Sequence, residues 1–497
     1  MTETGMLFNQ EQDSVIWNGL GTFSQLPGWL IAARDPDRVC ARLTQIVPEF
    51  KQGNLLLQKC DVGHIRFKAE HWTGLYHLTI STPGEETPQT VVLEGAIYPP
   101  GILPEEEPQV EGAFGREGWR AVVPDLNLQL KSQEAETVLA SLEFLTDPEE
   151  SRHFLMRNIQ ADSPAYRDLQ IQASNPKVVR YKPGSRCTVL YHLEYPQNTS
   201  SERHWPELVV AKIYRGEKGK NAFDSMRAMW NSPLGSTGTV QIAEPLAYNE
   251  QERVLIQGPI REEKTLKRFM VGAFRDGKPE VIEELNQVMR KTAAGLAELH
   301  QSNVQLGQTW GWEDEFSEVR ERIERLSVAH PDLAQAANPL LERIKQLADA
   351  SPPDPLVPSH GSFRPAQVLL YKDEIGFIDF DSFCQSEPAN DLALFLSAVM
   401  SIGMTNSDFD EVRDTGSTMD EETRKARFEL AMSLSENFLD EYAKHHPVSR
   451  QRVALWQTLD IFMLVLHGWI KVKVGELSDI LYLLEQFLQS KKIVGTS

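Results

Sequence analysis

Residues 358–393 read PSHGSFRPAQVLLYKDEIGFIDFDSFCQSEPANDLA, and this stretch decides the fold of the chain. Two short apolar runs, Val368–Tyr371 and Ile375–Phe380, flank the turn residues Lys372-Asp373-Glu374, a pattern that predicts a β-hairpin. Four polar side chains stand at the open end of this hairpin: Ser362, Gln367, Asp379 and Asp381. An amide and carboxylates brought together in this way can hold Mg²⁺ against the phosphates of a nucleotide, because hard oxygen ligands suit that ion.

The stretch resembles the catalytic segment of the aminoglycoside phosphotransferase and choline kinase superfamily, relatives of the protein kinases. The superfamily pattern is His-Gly-Asp, four residues, Asn, a second strand ending in Ile-Asp, and a downstream Asp. His360-Gly361, Ile378-Asp379 and Asp391 keep their places in this pattern. Ser362 stands where the catalytic Asp is expected, and Gln367 stands where the metal-binding Asn is expected. Asp391 would either cap the following helix or hold the backbone of the catalytic loop.

The resemblance implies an α+β, two-lobed protein-kinase-like fold with a small antiparallel β N-lobe and a large helical C-lobe. The patterns before the catalytic segment agree in order: a hairpin, a lysine-bearing strand at Val209–Tyr214, a helix at Asn221–Trp230, and a strand ending at Gly258-Pro259. An N-terminal α+β domain with an accessory or cap role is expected to precede the two lobes. The expected division is residues 1–150 for this domain, 160–260 for the N-lobe and 261–497 for the C-lobe, with the catalytic segment at 358–393.

Residues 51–100 and 172–215 carry similar β-prone patterns, which predict an internal repeat of a three-strand unit. The first reads HIRFKAEHWTGLYHL and then VVLEGAIYPPG; the second reads VVRYKPGSRCTVLYHL and then LVVAKIYRGEKG. Convergence of two unrelated segments on common β-strand composition is the alternative. Because the first copy has Glu94-Gly95 near the position of Lys212 in the second, we expect the first copy to lack a nucleotide site. The N-terminal domain is therefore expected to repeat part of the N-lobe.

The composition is typical of a globular protein, with 41% hydrophobic and 24% charged residues. Lys and Arg number 50 against 71 Asp and Glu, and the net charge of −21 disfavours nucleic acid and anionic membranes as partners. Four scattered cysteines indicate a reducing compartment and argue against structural zinc. The N-terminus lacks a signal-peptide pattern, and the most apolar runs, of about ten residues, are too short to span a bilayer. We therefore expect a cytoplasmic protein without a membrane span.

Lys212 is the candidate that binds nucleotide phosphates, because alternation along Val-Val-Ala-Lys-Ile-Tyr turns it towards the buried face of its strand. A buried lysine is costly unless an anion meets it, and a surface lysine on an edge strand is the alternative. At the preceding turn, Gly184 and Ser185 offer backbone N–H groups and Arg186 adds charge, although an ordinary hairpin turn has the same residues. The resemblance implies an acidic partner for the lysine on the next helix, where Asp224 is the only acid.

The catalytic and metal-binding roles are expected within residues 358–393. The resemblance implies that His360 braces the loop by hydrogen bonds and that Gln367 and Asp379 coordinate the metal. Asp381 faces the same side of an extended backbone as Asp379, so it is either a second ligand or a substitute for the missing acid. Ser362 cannot accept a proton as a carboxylate can, and loss of a general base typically costs about 10²–10⁴-fold in rate.

Position 362 therefore separates two functions. The first is an ATP- and Mg²⁺-dependent small-molecule phosphotransferase with an atypical catalytic loop. The second is a pseudokinase, a nucleotide-responsive binding or scaffold protein without turnover, for which a protein partner is conceivable. The acidic loop Ser401–Asp420 favours a cationic or neutral polyhydroxylated acceptor over an anionic one, unless the loop is only a solvated surface segment.

Overall fold

The N-terminal domain is built around an antiparallel sheet. The structure is a computed structural model that describes residues 4–6, 8, 13–84, 87–103, 108–133, 140–182, 186–196, 205–214, 216–405, 419–490 and 492–494. The elements of this domain are β1 (Thr4–Met6), α1 (Ser14–Gly21), α2 (Gly28–Arg34), α3 (Pro36–Ile46), α4 (Pro48–Lys51), β2 (Leu56–Lys68), β3 (His71–Ser81), β4 (Gln89–Ile97), β5 (Gln109–Glu111), β6 (Arg120–Val123) and β7 (Leu128–Ser132). The sheet order is β2-β3-β4-β7-β6-β5. Every second residue of β3 is buried, so one face of the sheet packs into the core.

The N-lobe has the antiparallel sheet and the lysine strand that the sequence predicts. Its elements are α5 (Ala140–Thr146), α6 (Pro148–Asp162), β8 (Ala173–Lys182), β9 (Arg186–Glu194), β10 (Leu208–Ile213), α7 (Lys218–Trp230), α8 (Pro233–Thr237), β11 (Gln241–Ile242), β12 (Pro245–Asn249) and β13 (Val254–Gln257). The sheet order is β12-β13-β10-β9-β8. Helix α6 packs on β8 and β12. Strand β10 lies in the middle of the sheet, so Lys212 is not on an edge strand.

The strands of the two domains repeat in structure as well as in sequence. Strands β2-β3-β4 and β8-β9-β10 both form antiparallel three-strand meanders. Tyr76 of β3 lies opposite Leu93 of β4, and Tyr191 of β9 lies opposite Val209 of β10. This register places Ala96 at the position of Lys212. The first copy therefore has an alanine where the second has its lysine.

The repeat also includes the helices that precede the strands. Asp35 is the N-cap of α3 and Asp147 is the N-cap of α6, and a proline follows each of them. Each carboxylate accepts hydrogen bonds from two backbone N–H groups of the first helical turn, those of Asp37 and Arg38 in α3 and those of Glu149 and Glu150 in α6. The buried tyrosine of each copy donates its hydroxyl proton to a carbonyl two residues before the capping aspartate. These bonds are Tyr76 Oη to Ala33 O at 2.9 Å and Tyr191 Oη to Leu145 O at 2.8 Å. A shared detail of this kind supports duplication over convergence.

The C-lobe is mainly helical and contains the predicted hairpin. Its elements are β14 (Lys264–Thr265), α9 (Leu266–Asp276), α10 (Pro279–His300), β15 (Gln308–Thr309), α11 (Trp312–Ala329), α12 (Asp332–Asp349), β16 (Val357–Ser359), β17 (Val368–Tyr371), β18 (Glu374–Phe377), β19 (Cys384–Ser386), α13 (Pro388–Met404), α14 (Glu421–His445), α15 (Arg450–Lys471), α16 (Val474–Ser490) and β20 (Lys492–Val494), which pairs with β1. The hairpin is β17–β18. Its second strand ends at Phe377, before the predicted Phe380, because Asp379 has a left-handed backbone with φ of 76°.

Helix α15 is the central helix of the C-lobe. By length and composition it could cross a membrane, but 83% of its most apolar 18-residue window is buried within the protein. Its last turn also receives the N-terminal domain. Trp72 Nε1 donates to Trp469 O at 3.0 Å, and Arg34 Nη1 donates to Val472 O at 2.8 Å. Trp469 in turn donates from Nε1 to Phe23 O at 3.1 Å. The N-terminal domain is thus docked on the C-lobe.

Candidate active site

The catalytic loop is held by one buried carboxylate. Asp391, fully buried in the first turn of α13, accepts hydrogen bonds from the backbone N–H groups of His360 at 2.6 Å and Gly361 at 2.9 Å. Burial raises the pKa of Asp391, but the His300 side chain, 3.2 Å away, and these bonds outweigh burial, and the net pKa is lowered. The N-cap of α13 is Glu387, so Asp391 holds the loop and is not the cap.

Gly361 lets the loop pass close to the segment after β18. Its φ is 74°, and a Cβ atom at this position would lie 2.0 Å from the carbonyl oxygen of Ser382. Any larger residue would push these two segments apart. The glycine of the motif is therefore required by backbone contact and not by chemistry.

His360, Ser362 and Gln367 form a chain of hydrogen bonds. His360 Nε2 lies 3.0 Å from the carbonyl oxygen of Ile378, which can only accept, so this nitrogen carries the proton. His360 Nδ1 then faces the Ser362 hydroxyl at 3.4 Å. Gln367 Nε2 donates to Ser362 Oγ at 3.3 Å, while Gln367 Oε1 is buried and has no hydrogen-bond partner within the described residues. His360 thus links the catalytic loop to Ile378 at the end of the hairpin.

Lys212 and Asp379 face each other across the two lobes. Lys212 Nζ lies 3.9 Å from Asp379 Oδ1. Burial lowers the pKa of the Lys212 ammonium, and the carboxylates of Asp379 and Asp381 oppose this shift. Asp224 pairs instead with Lys220 at 3.2 Å and with Arg227 at 3.3 Å. The lysine thus takes its acid from the catalytic segment and not from α7.

Of the turn expected to bind phosphate, Gly184 and Ser185 lie outside the described residues. Arg186, the first residue of β9, is described and is partly buried. Its positive charge contributes to the lowered pKa of the Lys212 ammonium group, so the two cations are close enough to repel each other. The acidic residues Asp408, Asp410, Glu411 and Asp414 of the expected acceptor loop also lie outside the described residues.

Asp381 lies near Asp379 in the short helical turn after β18. Burial, and then the like charge of Asp379, raise the pKa of the Asp381 carboxyl. The backbone of this turn is fixed from the N-lobe, since Asn221 Nδ2 donates to the carbonyl oxygens of Asp381 at 3.2 Å and Phe383 at 3.1 Å. The start of α7 thus connects directly to the segment that carries both aspartates.

A cleft of about 1020 Å³ lies between the catalytic loop and the helices of the C-lobe. Ser362 and Asp381 line the cleft at its catalytic side. Side chains from α9, α11, α13 and α15 line the remainder, among them Lys267, Glu315, Asn390, Ser397 and Asp460. The volume is at the upper end of the range of ligand pockets, roughly 300–1,000 Å³, so the cleft is large enough for a small molecule beside a phosphate group.

Comparison with known proteins agrees with this geometry. Residues 207–427 match the model of the phosphotransferase enzyme family. The matched segment contains Lys212 and the whole of residues 358–393, so the resemblance to the aminoglycoside phosphotransferase and choline kinase superfamily is confirmed. No curated protein matches the chain.

The chain is also similar to solved structures at low sequence identity. A choline kinase from Cryptosporidium parvum has 12% identity and a TM-score of 0.43, over 68% of this chain and 94% of that one. An ADP-bound aminoglycoside phosphotransferase has 14% identity and a TM-score of 0.41, over 66% and 99%. A glucosamine kinase has 12% identity and a TM-score of 0.44, over 94% and 98%.

Several residues of the cleft could not be predicted from the sequence. They are Arg364 of the catalytic loop, Lys267 of α9, Glu315 of α11, Asn390 and Ser397 of α13, and Asp460 of α15. For Asn390, Ser397 and Asp460 the available signal is a polar residue inside an otherwise apolar helix, most clearly Asp460 in the run from Val453 to Trp469. A polar residue on the buried face of a core helix indicates a site, because buried polar groups need partners.

Proposed function

We propose that the chain is an ATP- and Mg²⁺-dependent phosphotransferase that phosphorylates a hydroxyl group of a small molecule. The observation that carries this proposal is the approach of Lys212 and Asp379 to 3.9 Å between the two lobes of a phosphotransferase-family segment. In this function Lys212 binds phosphate oxygens of ATP, assisted by Arg186 and by the backbone of Gly184 and Ser185. The ammonium group exchanges its carboxylate partner for phosphate when the nucleotide enters.

The residues present fit a magnesium ion. Gln367 offers a buried amide oxygen without a partner among the described residues, and Asp379 offers a carboxylate. A cation bound by these two residues would also relieve the repulsion between Asp379 and Asp381. The described part of the chain holds no cluster of three or more His, Cys, Asp or Glu side chains, so the ion would take its other ligands from phosphate and water. When bound, Mg²⁺ neutralises charge on the phosphates during transfer.

Catalysis then divides between two residues of the cleft. The Ser362 hydroxyl orients the acceptor hydroxyl but cannot hold its proton, whereas the Asp381 carboxylate lines the same cleft and can. His360 fixes Ser362 through the hydrogen bond from the serine hydroxyl to Nδ1. Transfer through a loose transition state depends chiefly on position and charge, so this arrangement is sufficient for turnover.

The acceptor in this proposal is a cationic or neutral polyhydroxylated small molecule. Acidic and basic side chains both line the cleft, so an anionic acceptor has no excess of positive charge to meet, and the net charge of −21 opposes its approach. Nucleic acid is not an expected partner for the same reason.

The four cysteines are free thiols, as a reducing compartment requires, and we propose a cytoplasmic location.

Nucleotide binding without turnover is the second candidate function. The observation that favours it is the pairing of Asp224 with Lys220 and Arg227, which leaves Lys212 without an acidic partner on α7. As a pseudokinase, the chain would report nucleotide to a protein partner. Both candidates share the nucleotide site, and they differ in the consumption of ATP.

The test combines binding with turnover. ATP with Mg²⁺ is expected to raise the melting temperature by mass action, and Lys212→Ala and Asp379→Ala are expected to abolish this rise while leaving the apo proteins folded. ADP release is then measured with a panel of small alcohols, sugars and amino sugars. Failure of the native protein to respond to millimolar nucleotide contradicts both candidates. A thermal shift without ADP release on any acceptor favours the pseudokinase.

A further inference from the structure

We propose that Asn390, Ser397 and Asp460 form a binding site for the hydroxyl groups of a neutral polyhydroxylated acceptor. We call these three residues the polar floor of the cleft. The proposal rests on the proposed phosphotransfer function and narrows its acceptor, since it selects a neutral molecule over a cationic one.

The polar floor consists of buried groups that lack partners in the protein. Asn390 and Ser397 are each 3% exposed and Asp460 is 7% exposed. Their atoms Asn390 Nδ2, Ser397 Oγ and Asp460 Oδ2 form no hydrogen bond with any described residue. All three side chains line the same cleft. A buried polar group without a partner costs roughly 1–3 kcal/mol, and three such groups converging on one cleft indicate that something from outside the chain binds them.

The spacing of the floor matches an extended ligand with several hydroxyl groups. Asn390 and Ser397 are two helical turns apart on one face of α13, which separates them by about 10 Å. Asn390 immediately precedes Asp391, the residue that holds the catalytic loop, so this end of the floor lies beside the transfer site. Asp460 joins the floor from α15. A polyol that presents one hydroxyl to Ser362 can therefore place others along the floor.

The charges around the floor favour a neutral ligand. Burial, and then the charge of Glu315, raise the pKa of the Asp460 carboxyl well above its ordinary value, although Arg364 opposes this. A neutral carboxyl both donates and accepts a hydrogen bond, as a ligand hydroxyl requires. The facing groups also include Glu318, which pairs with Arg322, and Lys267, whose pKa burial lowers to about 8. Neither a ligand cation nor a ligand anion finds an excess of opposite charge there.

The first test measures binding of matched sugars to the whole protein by calorimetry, without nucleotide. The probes are a hexose, the hexosamine and the hexuronate with the same ring, together with the corresponding alditol. We expect the neutral hexose or alditol to bind at least tenfold more tightly than the charged sugars. Tighter binding of the hexosamine or the hexuronate overturns the proposal, and so does the absence of binding by the whole set. The ATP-induced thermal shift, measured on the same samples, reports separately on the proposed function.

The second test uses two matched serine variants. Ser397→Ala is expected to weaken binding of the neutral sugar about tenfold while leaving the melting temperature unchanged or higher, because the hydroxyl has no partner to lose within the described residues. Ser435→Ala is the control: Ser435 is 2% exposed, and its hydroxyl donates to Ala431 O at 2.7 Å, away from the cleft. The control is expected to lower the melting temperature and leave sugar binding unchanged. The reverse result, with Ser397→Ala destabilising and binding sugar normally, overturns the proposal.

Asp460→Asn separates a neutral ligand from a cationic one. The amide keeps the shape, a donor and an acceptor, so affinity for a neutral sugar is expected to stay within about threefold. A cationic acceptor held by an ionised Asp460 would lose much more affinity, because the substitution removes the negative charge that attracts it. A loss of tenfold or more for the hexosamine, with stronger binding of the hexosamine to the native protein, contradicts the proposal.

Discussion

Gln367 donates a hydrogen bond to Ser362, with 3.3 Å between Nε2 and Oγ. These two residues are the two departures from the catalytic pattern of the superfamily, and they are in direct contact. The Gln367 side chain is longer than the expected Asn, and the Ser362 side chain is shorter than the expected Asp, so the longer side chain reaches the shorter one. Each substitution therefore compensates in part for the other. Their effects on catalysis should therefore be coupled.

Ser362→Asp is expected to raise phosphotransfer by at least tenfold, because it restores a carboxylate where about 10²–10⁴-fold can be gained from a general base. Gln367→Asn alone should lower the rate, since the shorter amide loses its bond to Ser362. The double variant should exceed the product of the single effects. Rates of ADP release measure all three. A Ser362→Asp protein that binds ATP but gains no turnover would favour the pseudokinase.

Glu387→Gln is expected to destabilise the C-lobe by about 3–5 kcal/mol, because it leaves a buried guanidinium without its carboxylate. Arg452 and Glu387 are each 2% exposed, and Arg452 Nε donates to Glu387 Oε2 at 2.8 Å. Glu436→Gln is the control. Its carboxylate pairs with Arg450 at the surface, where loss is expected to cost no more than about 1 kcal/mol. Urea unfolding measures the stability of both variants. Equal losses of stability would contradict the larger loss expected for the buried Glu387.

Tyr76→Phe and Tyr191→Phe are each expected to cost about 1–3 kcal/mol, because each leaves a buried carbonyl without its donor. Thermal unfolding should show similar losses for both, since the two bonds occupy the same place in the repeated unit. Tyr98→Phe is the control, because the Tyr98 hydroxyl forms no hydrogen bond with any described residue. If only one of the two variants were destabilised, the structural equivalence of the copies would be wrong.

His467→Gln is expected to make the protein less sensitive to acid. Burial, then the charges of Lys471 and Arg322, lower the pKa of His467 to about 3. Above its ordinary value of about 6.5 the imidazole is neutral in both the folded and the unfolded chain. Between about 6.5 and this lowered value only the unfolded chain binds the proton, so stability falls as the pH falls. Urea unfolding at about pH 7 and about pH 5 should show a smaller loss for the variant. An equal loss in both proteins would indicate other titrating groups.

The fold and the catalytic loop could be predicted because their signals lie close together in the sequence. The hairpin alternates over a few residues, and His360, Gln367 and Asp379 fall within one short segment. The internal repeat is visible in the sequence from the aligned tyrosines, whereas the shared capping aspartates become apparent only in the structure. Local patterns of this kind predict the folded structure correctly, because turn and strand preferences depend on residues that are close together in the sequence.

The polar floor could not be predicted because it is made by packing. Asn390 and Asp460 are 70 residues apart in the chain, and only the contact of α13 with α15 brings them to one cleft. The pairing of Lys212 with Asp379 is of the same kind, since it depends on how closely the lobes approach. Periodicity identifies the buried face of a helix but not the helix that will cover it.

The docking of the N-terminal domain on α15 is expected to couple the unfolding of this domain to that of the C-lobe, because the two share one hydrophobic core. Helix ends leave carbonyl groups unsatisfied, and here Trp72 and Arg34 satisfy those of Trp469 and Val472 from the other domain. Loss of the N-terminal domain would expose these groups on the same helix that lines the acceptor cleft. Calorimetry should accordingly give a single unfolding transition for both parts. The stability of the N-terminal domain would then also set how long the folded C-lobe, and with it the acceptor cleft, persists.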